Sequence, residues 1–250
     1  MGFSGRPVLF FDSGIGGLTV LGECMRNIPS RQFWYLGDND NAPYGNLLPE
    51  RIRELVFSAV ERYASSVGAL VLACNTATAL CADELRKKYS FPVVGAEPAI
   101  LPAVRGGGEV WVLATRATCE SPRLQTLIGR ALSLYPNARI EIKPCDTLAG
   151  VIERGIVEGA CSVTAHLPKG NPSSVVLGCT HYVYCKREIE RFYACPVYDG
   201  NAGITRRLAC VLGVVDGGQK RFEPSTVTFL GNCATQNERV FEQMFARKMH

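Results

Sequence analysis

Two cysteines stand in matched settings. Leu70-Val71-Leu72-Ala73-Cys74-Asn75-Thr76-Ala77-Thr78 is a short apolar run that stops at a thiol and continues with small polar residues. After 105 residues (179 − 74), Ser174-Val175-Val176-Leu177-Gly178-Cys179-Thr180-His181 repeats the pattern. Each stretch reads as a buried strand that delivers one thiol at its end. In an open α/β sheet the ligand crevice lies beyond the carboxyl ends of the strands, and the N-terminus of a following helix favours negative charge there. Both thiols are therefore expected to lean toward thiolate. Free cysteine is among the most buried residue types and most often a small core hydrophobe, but duplication in matched context points to function. A thiolate is a usable base near neutral pH and a neighbouring thiol a usable acid, because the free pKa of about 8.5 lies close to working pH. Asp12 and His181 are the groups available to tune Cys74 and Cys179 respectively, although Asp12 reads equally well as a helix cap.

Other chemistries are disfavoured. Cys24, Cys81, Cys119, Cys145, Cys161, Cys185, Cys195, Cys210 and Cys233 show no paired C-x-x-C spacing, and the only histidines are His166, His181 and His250. A zinc or other transition-metal site is not expected, and these nine thiols read most simply as core filler. The formal net charge of +4, from 27 basic and 23 acidic residues, is too mild to imply a nucleic-acid partner. Eleven cysteines, without a basic-then-apolar leader, fit a reducing cytoplasm. No apolar stretch approaches the roughly 20 residues of a membrane helix.

The elements that must position the thiols repeat an order of strand, polar tip and helix. Pro7-Val8-Leu9-Phe10-Phe11 runs into Asp12-Ser13-Gly14-Ile15-Gly16-Gly17 and then a helix beginning at Leu18. The loop does not satisfy G-x-G-x-x-G, because position 19 is Thr19, yet such glycines let backbone N–H groups approach a carboxylate as readily as a phosphate. Phe33 to Leu36 predicts a second strand leading to the turn-rich Gly37–Gly45, and Arg51 to Ser65 a helix introduced by Pro49. A helix from Thr76 to Tyr89 comes next, then a strand and exit turn over Pro92–Pro98, with the proline and small residues marking a domain crossing. The second series comprises a strand over Val110–Thr115, a helix over Pro122–Leu134, a strand over Arg139–Lys143 and a helix over Asp146–Glu158. After Cys179, a helix over Tyr184–Tyr193, a strand over Pro196–Tyr198 and a helix over Ile204–Leu212 are expected. Asp216–Gln219 reads as a loop; Val227–Leu230 predicts a late strand on the first sheet, before a terminal helix over Asn237–Lys248. Glu153, on the Asp146–Glu158 helix, is by itself more often a solvated charge than a catalytic one. The pattern predicts an α/β fold of two similar domains with mainly parallel sheets flanked by helices and an active site in the cleft between them. The expected division is 1–96 plus 205–250 for one domain and 97–204 for the other.

Asp12-Ser13-Gly14, Pro43-Tyr44-Gly45, Ala73-Cys74-Asn75-Thr76-Ala77 and Gly178-Cys179-Thr180-His181-Tyr182 together resemble the glutamate racemase family, in order and from about Val8 to Gly203. The resemblance implies a cofactor-independent isomerase that interconverts L- and D-glutamate for peptidoglycan, with one catalytic cysteine per domain. It also implies that Asp12, Glu153 and His181 assist the thiols. Ser13, Pro43, Tyr44, Gly45, Asn75, Thr76, Thr118 and Thr180 then hold substrate, with Thr115 beside them and Asp12, Cys74, Cys179 and His181 touching it as well. No metal, cofactor, nucleic acid or membrane partner is implied, and a homodimer stays open. Inverting an α-carbon requires taking a proton from one face and returning one to the other, which a pair of thiols can do by trading states. The chain departs from the family at Val183-Tyr184-Cys185, where Pro-Leu-Leu is usual, at Gly231-Asn232 and at Asp199-Gly200-Asn201. An aspartate or related racemase is the nearest alternative; aspartate racemases tend to carry Glu where His181 stands. A non-catalytic amino-acid-binding regulatory protein is a second alternative, and a redox sensor joining Cys74 to Cys179 a third.

Overall fold

The computed structural model describes residues 5–29, 31–159, 161–214 and 225–246. Among the described residues nine strands form in chain order: β1 (Val8–Asp12), β2 (Gln32–Gly37), β3 (Ala69–Leu72), β4 (Val93–Gly95), β5 (Glu109–Ala114), β6 (Arg139–Pro144), β7 (Ser174–Leu177), β8 (Val197–Tyr198) and β9 (Thr226–Leu230). They make two wholly parallel sheets, ordered β4-β3-β1-β2-β9 and β6-β5-β7-β8. The helices are α1 (Leu18–Asn27), α2 (Pro49–Glu61), α3 (Asn75–Lys88), α4 (Ile100–Val104), α5 (Arg116–Cys119), α6 (Pro122–Leu134), α7 (Leu148–Glu158), α8 (Lys186–Tyr193), α9 (Asn201–Val211) and α10 (Ala234–Ala246).

Parallel strands covered on both faces read as unbroken apolar runs, as β1, β3, β5 and β7 do, whereas the edge strands β6 and β9 alternate. In the first sheet, alternate residues Val8, Phe10, Phe33, Tyr35 and Val71 bury against Leu18 and Leu21 of α1, Ile204 and Leu208 of α9 and Phe241 of α10. Leu9, Phe11, Leu70 and Leu72 point the other way, onto Ile52, Val56 and Val60 of α2 and Leu85 of α3. The second sheet divides in the same manner: Trp111, Leu113, Val175 and Leu177 face Leu148 and Ile152 of α7 and Ile189 of α8. Val110, Val112 and Val176 face Ile100, Leu124 and Ala131. At the roughly 25 cal/mol per Å² of apolar burial, these four clusters are the main driving force for the fold.

The strand order locates the site. In the first sheet the winding reverses between β1 and β3, and in the second between β5 and β7. Such switch points leave a crevice at the strands' carboxyl ends, and these four strands lead into Asp12, Cys74, Thr115 and Cys179. The late strand returns to the first sheet, pairing parallel with β2. One helix differs from expectation: the segment after Cys179 forms a 3-10 helix over Thr180–Cys185, and α8 begins only at Lys186. The loop expected at Asp216–Gln219 lies outside the described residues.

Candidate active site

The ends of the two sheets meet, and the side chains at the contact are buried. Asp12, Ser13, Cys74, Asn75, Thr76, Thr115, Thr118, Cys179, Thr180 and His181 are all buried, the two thiols at 6 % and 8 % exposure. Asp12 ends β1, Cys74 is the N-cap residue of α3, and Cys179 precedes the 3-10 segment that carries Thr180 and His181. Across the interface, Thr180 Oγ1 donates to Asp12 Oδ1 at 3.4 Å, a contact spanning 168 residues.

Around Cys179 the arrangement is a relay. Cys179 Sγ lies 3.8 Å from His181 Nδ1, and His181 Nε2 hydrogen-bonds Glu153 Oε2. Burial alone would lower the pKa of His181. The hydrogen bonds to Cys179 and Glu153, with the charges of both, overcome that and hold it well above its ordinary value. The imidazolium satisfies both neighbours at once, donating Nδ1–H toward sulfur and Nε2–H to the carboxylate. Glu153, which reads as a solvated charge from sequence, is thus part of the site: its side chain is 14 % exposed and its Oε2 also accepts from Ile15 N–H at 3.3 Å.

The glycine loop is what allows this approach. A Cβ on Gly16 would sit 2.6 Å from His181 Nδ1 and 2.8 Å from Thr180 Oγ1, and one on Gly14 would sit 2.7 Å from Glu153 Oε2. Only glycine leaves room for the first sheet's loop to lie on the second sheet's relay. The backbone N–H groups of this loop do find carboxylates, and these are the protein's own: Ile15 N–H binds Glu153, and Gly14 N–H donates to Asp12 Oδ2 at 3.0 Å. The N-cap of α1 is Gly17, so Asp12 secures the loop rather than capping the helix. Tyr184 Oη and Tyr35 Oη clamp the same loop from either side, donating to Ile15 O at 2.8 Å and Gly14 O at 2.7 Å. Neither tyrosine carries a sequence signal; both are recognisable only once the loop has a position.

The Cys74 side differs in kind. Cys74 Sγ accepts from Ala77 N–H at 3.4 Å, as a helix N-cap. The expectation that the helix terminus would bias this thiol toward thiolate is not met. Burial pushes Cys74 up to about 12; the negative charges of Asp12 and Cys179 add to this, and the hydrogen bonds from Ala77 and Ser13 offset only part of it. Loss of water costs a buried anion more than one backbone N–H and a fraction of a helix dipole return. Asp12 is itself raised by complete burial, against the lowering influence of His181 and the Gly17 and Gly14 N–H groups. Cys179 departs from expectation structurally, because the chain beyond it forms a six-residue 3-10 turn with no side-chain cap, not an α-helix.

Donors complete the site. Thr76 Oγ1 lies 3.0 Å from Thr115 Oγ1 and 3.4 Å from Thr118 Oγ1, and Thr115 donates to Thr118 at 3.1 Å, so three hydroxyls from both sheets form one cluster. Gly45 comes against Thr115, where a Cβ would meet its Cβ at 2.9 Å. Tyr44 is buried with its hydroxyl donating to Asp38 Oδ2 at 2.6 Å, and Pro43, after a cis peptide bond, reaches the α7 backbone near Gly150. Asn75 Oδ1 is buried without a hydrogen-bond partner among the described residues. In the same residues no group of three or more His, Cys, Asp or Glu side chains is arranged to hold a metal ion.

Comparison with known proteins gives a consistent set. The family described as Asp/Glu/Hydantoin racemase matches residues 49–208. A glutamate racemase of Clostridium botulinum is 38 % identical over 221 residues, covering 83 % of this chain and 84 % of that protein. Among solved structures, Escherichia coli glutamate racemase in complex with L-glutamate and the activator UDP-MurNAc-Ala superposes with a TM-score of 0.77 at 31 % identity, covering 95 % of each chain. The Bacillus anthracis glutamate racemase isoform RacE1 gives 0.76 at 26 % identity, over 98 % of this chain and 94 % of that one.

Proposed function

Because the chain belongs to the Asp/Glu/Hydantoin racemase family, whose members are isomerases, we propose that it interconverts L- and D-glutamate by proton transfer at Cα between Cys74 and Cys179. The observation that carries this reading is the pair of buried thiols, one at the strand ends of each sheet, with the His181–Glu153 pair beside Cys179. Burial pushes Cys74 up to about 12, so it rests as a protonated acid, whereas Cys179 Sγ lies 3.8 Å from Nδ1 of the buried His181 and takes the part of the base. In this state the enzyme is set to take the proton of L-glutamate with Cys179 and return one to the opposite face from Cys74; the reverse direction starts from the exchanged protonation states. Asp12, with Thr180, lies between the two halves and disfavours charge on Cys74, while Glu153 holds His181 charged.

The threonine cluster, Ser13 and Thr180 are donors for the substrate carboxylates, and the unpartnered Asn75 Oδ1 is an acceptor for its ammonium group. Pro43, Tyr44 and Gly45 form the wall against Thr115. The bound L-glutamate of the E. coli relative supports this choice of substrate. The proposed domains are 1–96 with 205–250, and 97–204. The reading requires no cofactor, supplies D-glutamate for peptidoglycan and belongs in the cytoplasm; no helix among the described residues is long and apolar enough to cross a membrane.

The test is circular dichroism of L-glutamate with purified protein and no added cofactor: the signal decays to zero, and L-aspartate shows no comparable decay. In deuterated water, early D-product carries deuterium at Cα while recovered L-glutamate stays almost unlabelled, because each face has its own thiol. Equal labelling of substrate and product would indicate a single shared base. A steady signal with tight binding would make the protein a binding module instead.

A further inference from the structure

Outside the proposed catalytic pair, Cys161 and Cys185 meet with their sulfurs 3.4 Å apart. The racemisation uses neither. Cys161 is partly exposed and Cys185 buried, and both line a cavity of about 350 Å³ with Tyr184, Arg187 and Arg191. The short segment carrying Cys161 is held on α8 by Glu188, whose Oε1 accepts from Ser162 Oγ at 3.0 Å and from Val163 N–H at 2.9 Å. Cys185 ends the 3-10 helix that carries His181. The two thiols are thus fixed from two separate elements 24 residues apart and turned toward each other.

We propose that Cys161 and Cys185 form a dithiol modification site that a hydroperoxide converts to an intramolecular disulfide. The sulfurs need to close to the disulfide bond length of about 2.05 Å, which is within reach of side-chain rotation from their present contact. Cys161, the partly exposed thiol, meets the oxidant in the cavity it lines with Arg187, Glu188 and Arg191. Its sulfur attacks the O–O bond: an S–O bond forms, the O–O bond breaks, and the alcohol, or water from hydrogen peroxide, leaves with a proton. Cys185 Sγ, 3.4 Å away, then attacks the Cys161 sulfenic acid sulfur as its proton passes to the departing oxygen. The S–S bond forms, the S–O bond breaks, and hydroxide leaves as water with the Cys185 proton. In sum the two thiols lose two electrons and two protons, and the hydroperoxide is reduced.

The experiment uses the full chain, reduced, with excess glutamate present to occupy the catalytic thiols. One equivalent of hydrogen peroxide is added, free thiols are alkylated, and the digest is read by mass spectrometry. A peptide pair joined through Cys161 and Cys185 is expected, lost on treatment with dithiothreitol. In Cys161→Ser, Cys185 remains reduced and racemisation is unchanged. Because the readout is a covalent bond, failure of the racemase reading leaves this test intact. Recovery of Cys161 as sulfinic acid, of alkylated Cys161 while other thiols are oxidised, or of a disulfide between two copies of the chain would overturn the proposal. Oxidation of Cys185 in Cys161→Ser to the wild-type extent would do the same.

Discussion

Glu153→Gln tests the relay at its most exposed member. The substitution keeps shape and removes one charge from beside a buried imidazolium. Two unit charges about 4 Å apart interact by about 4 kcal/mol at an effective dielectric of 20, or about 3 pKa units at 1.36 kcal/mol each. Glu153 is 14 % exposed, so some of this is screened, and a fall in the His181 pKa is expected. Burial then dominates, and His181 drops from well above its ordinary value to near or below it. Stability responds with a definite sign. A histidine whose folded pKa is raised contributes fully below its unfolded value of about 6.5 and loses that contribution as pH rises through the folded value; Glu153→Gln abolishes the effect. The chain holds three histidines, so nitrogen-15 histidine spectra between pH 5 and 10 resolve the titration directly. At about pH 8 the variant's His181 is neutral and turnover of L-glutamate falls by on the order of 100-fold, within the range general for positioned acid–base groups. An unmoved His181 titration would refute the electrostatic account. A lowered pKa with turnover near wild type would show that the imidazolium is not used.

Cys74→Ala and Cys179→Ala each abolish racemisation in either direction while thermal unfolding stays cooperative, because each deletes one face of the proton transfer; wild-type rates from either would end the two-thiol mechanism. Asp12→Asn removes a fully buried carboxyl whose raised pKa shows that its charged form is penalised. Stability tied to that group is full below the unfolded pKa of about 3.9 and lost as pH rises through the folded value. The variant therefore melts a few degrees higher at neutral pH but turns over more slowly. Its kcat changes unequally in the two directions, with KM compensating, since the equilibrium constant between enantiomers is one; a lower Tm would show instead that the hydrogen bonds to the glycine loop outweigh the buried charge. Gly16→Ala places a methyl 2.6 Å from His181 Nδ1, and as Gly16 lies outside the left-handed region the effect is contact alone. Activity falls at least tenfold, in the range general for a misplaced catalytic group, and His181 titrates differently; unaltered kinetics would mean that the loop does not press on the relay.

What the sequence determined was local. The apolar runs ending at Asp12, Cys74, Thr115 and Cys179 became strands, because parallel strands buried on both faces require unbroken apolar side chains. Their polar tips fell at the switch points, and the resemblance joined Asp12, Cys74, Glu153, Cys179 and His181 into one chemistry. Tertiary structure decided whatever depends on distance across the chain and on exclusion of water. Read from its own helix Glu153 is a surface charge, and what places it beside the site, the Ile15 N–H of the glycine loop 138 residues away and the ring of His181, is set by the tertiary structure. The protonation of Cys74 could not be read from its helix N-cap, because the cost of desolvating a thiolate depends on how completely the second sheet seals the first. Cys161 and Cys185, indistinguishable in sequence from core filler, became neighbours only when the segment after α7 folded onto α8. Periodicity is written into a few consecutive residues, whereas dielectric and cross-sheet contacts exist only after both sheets have formed and met.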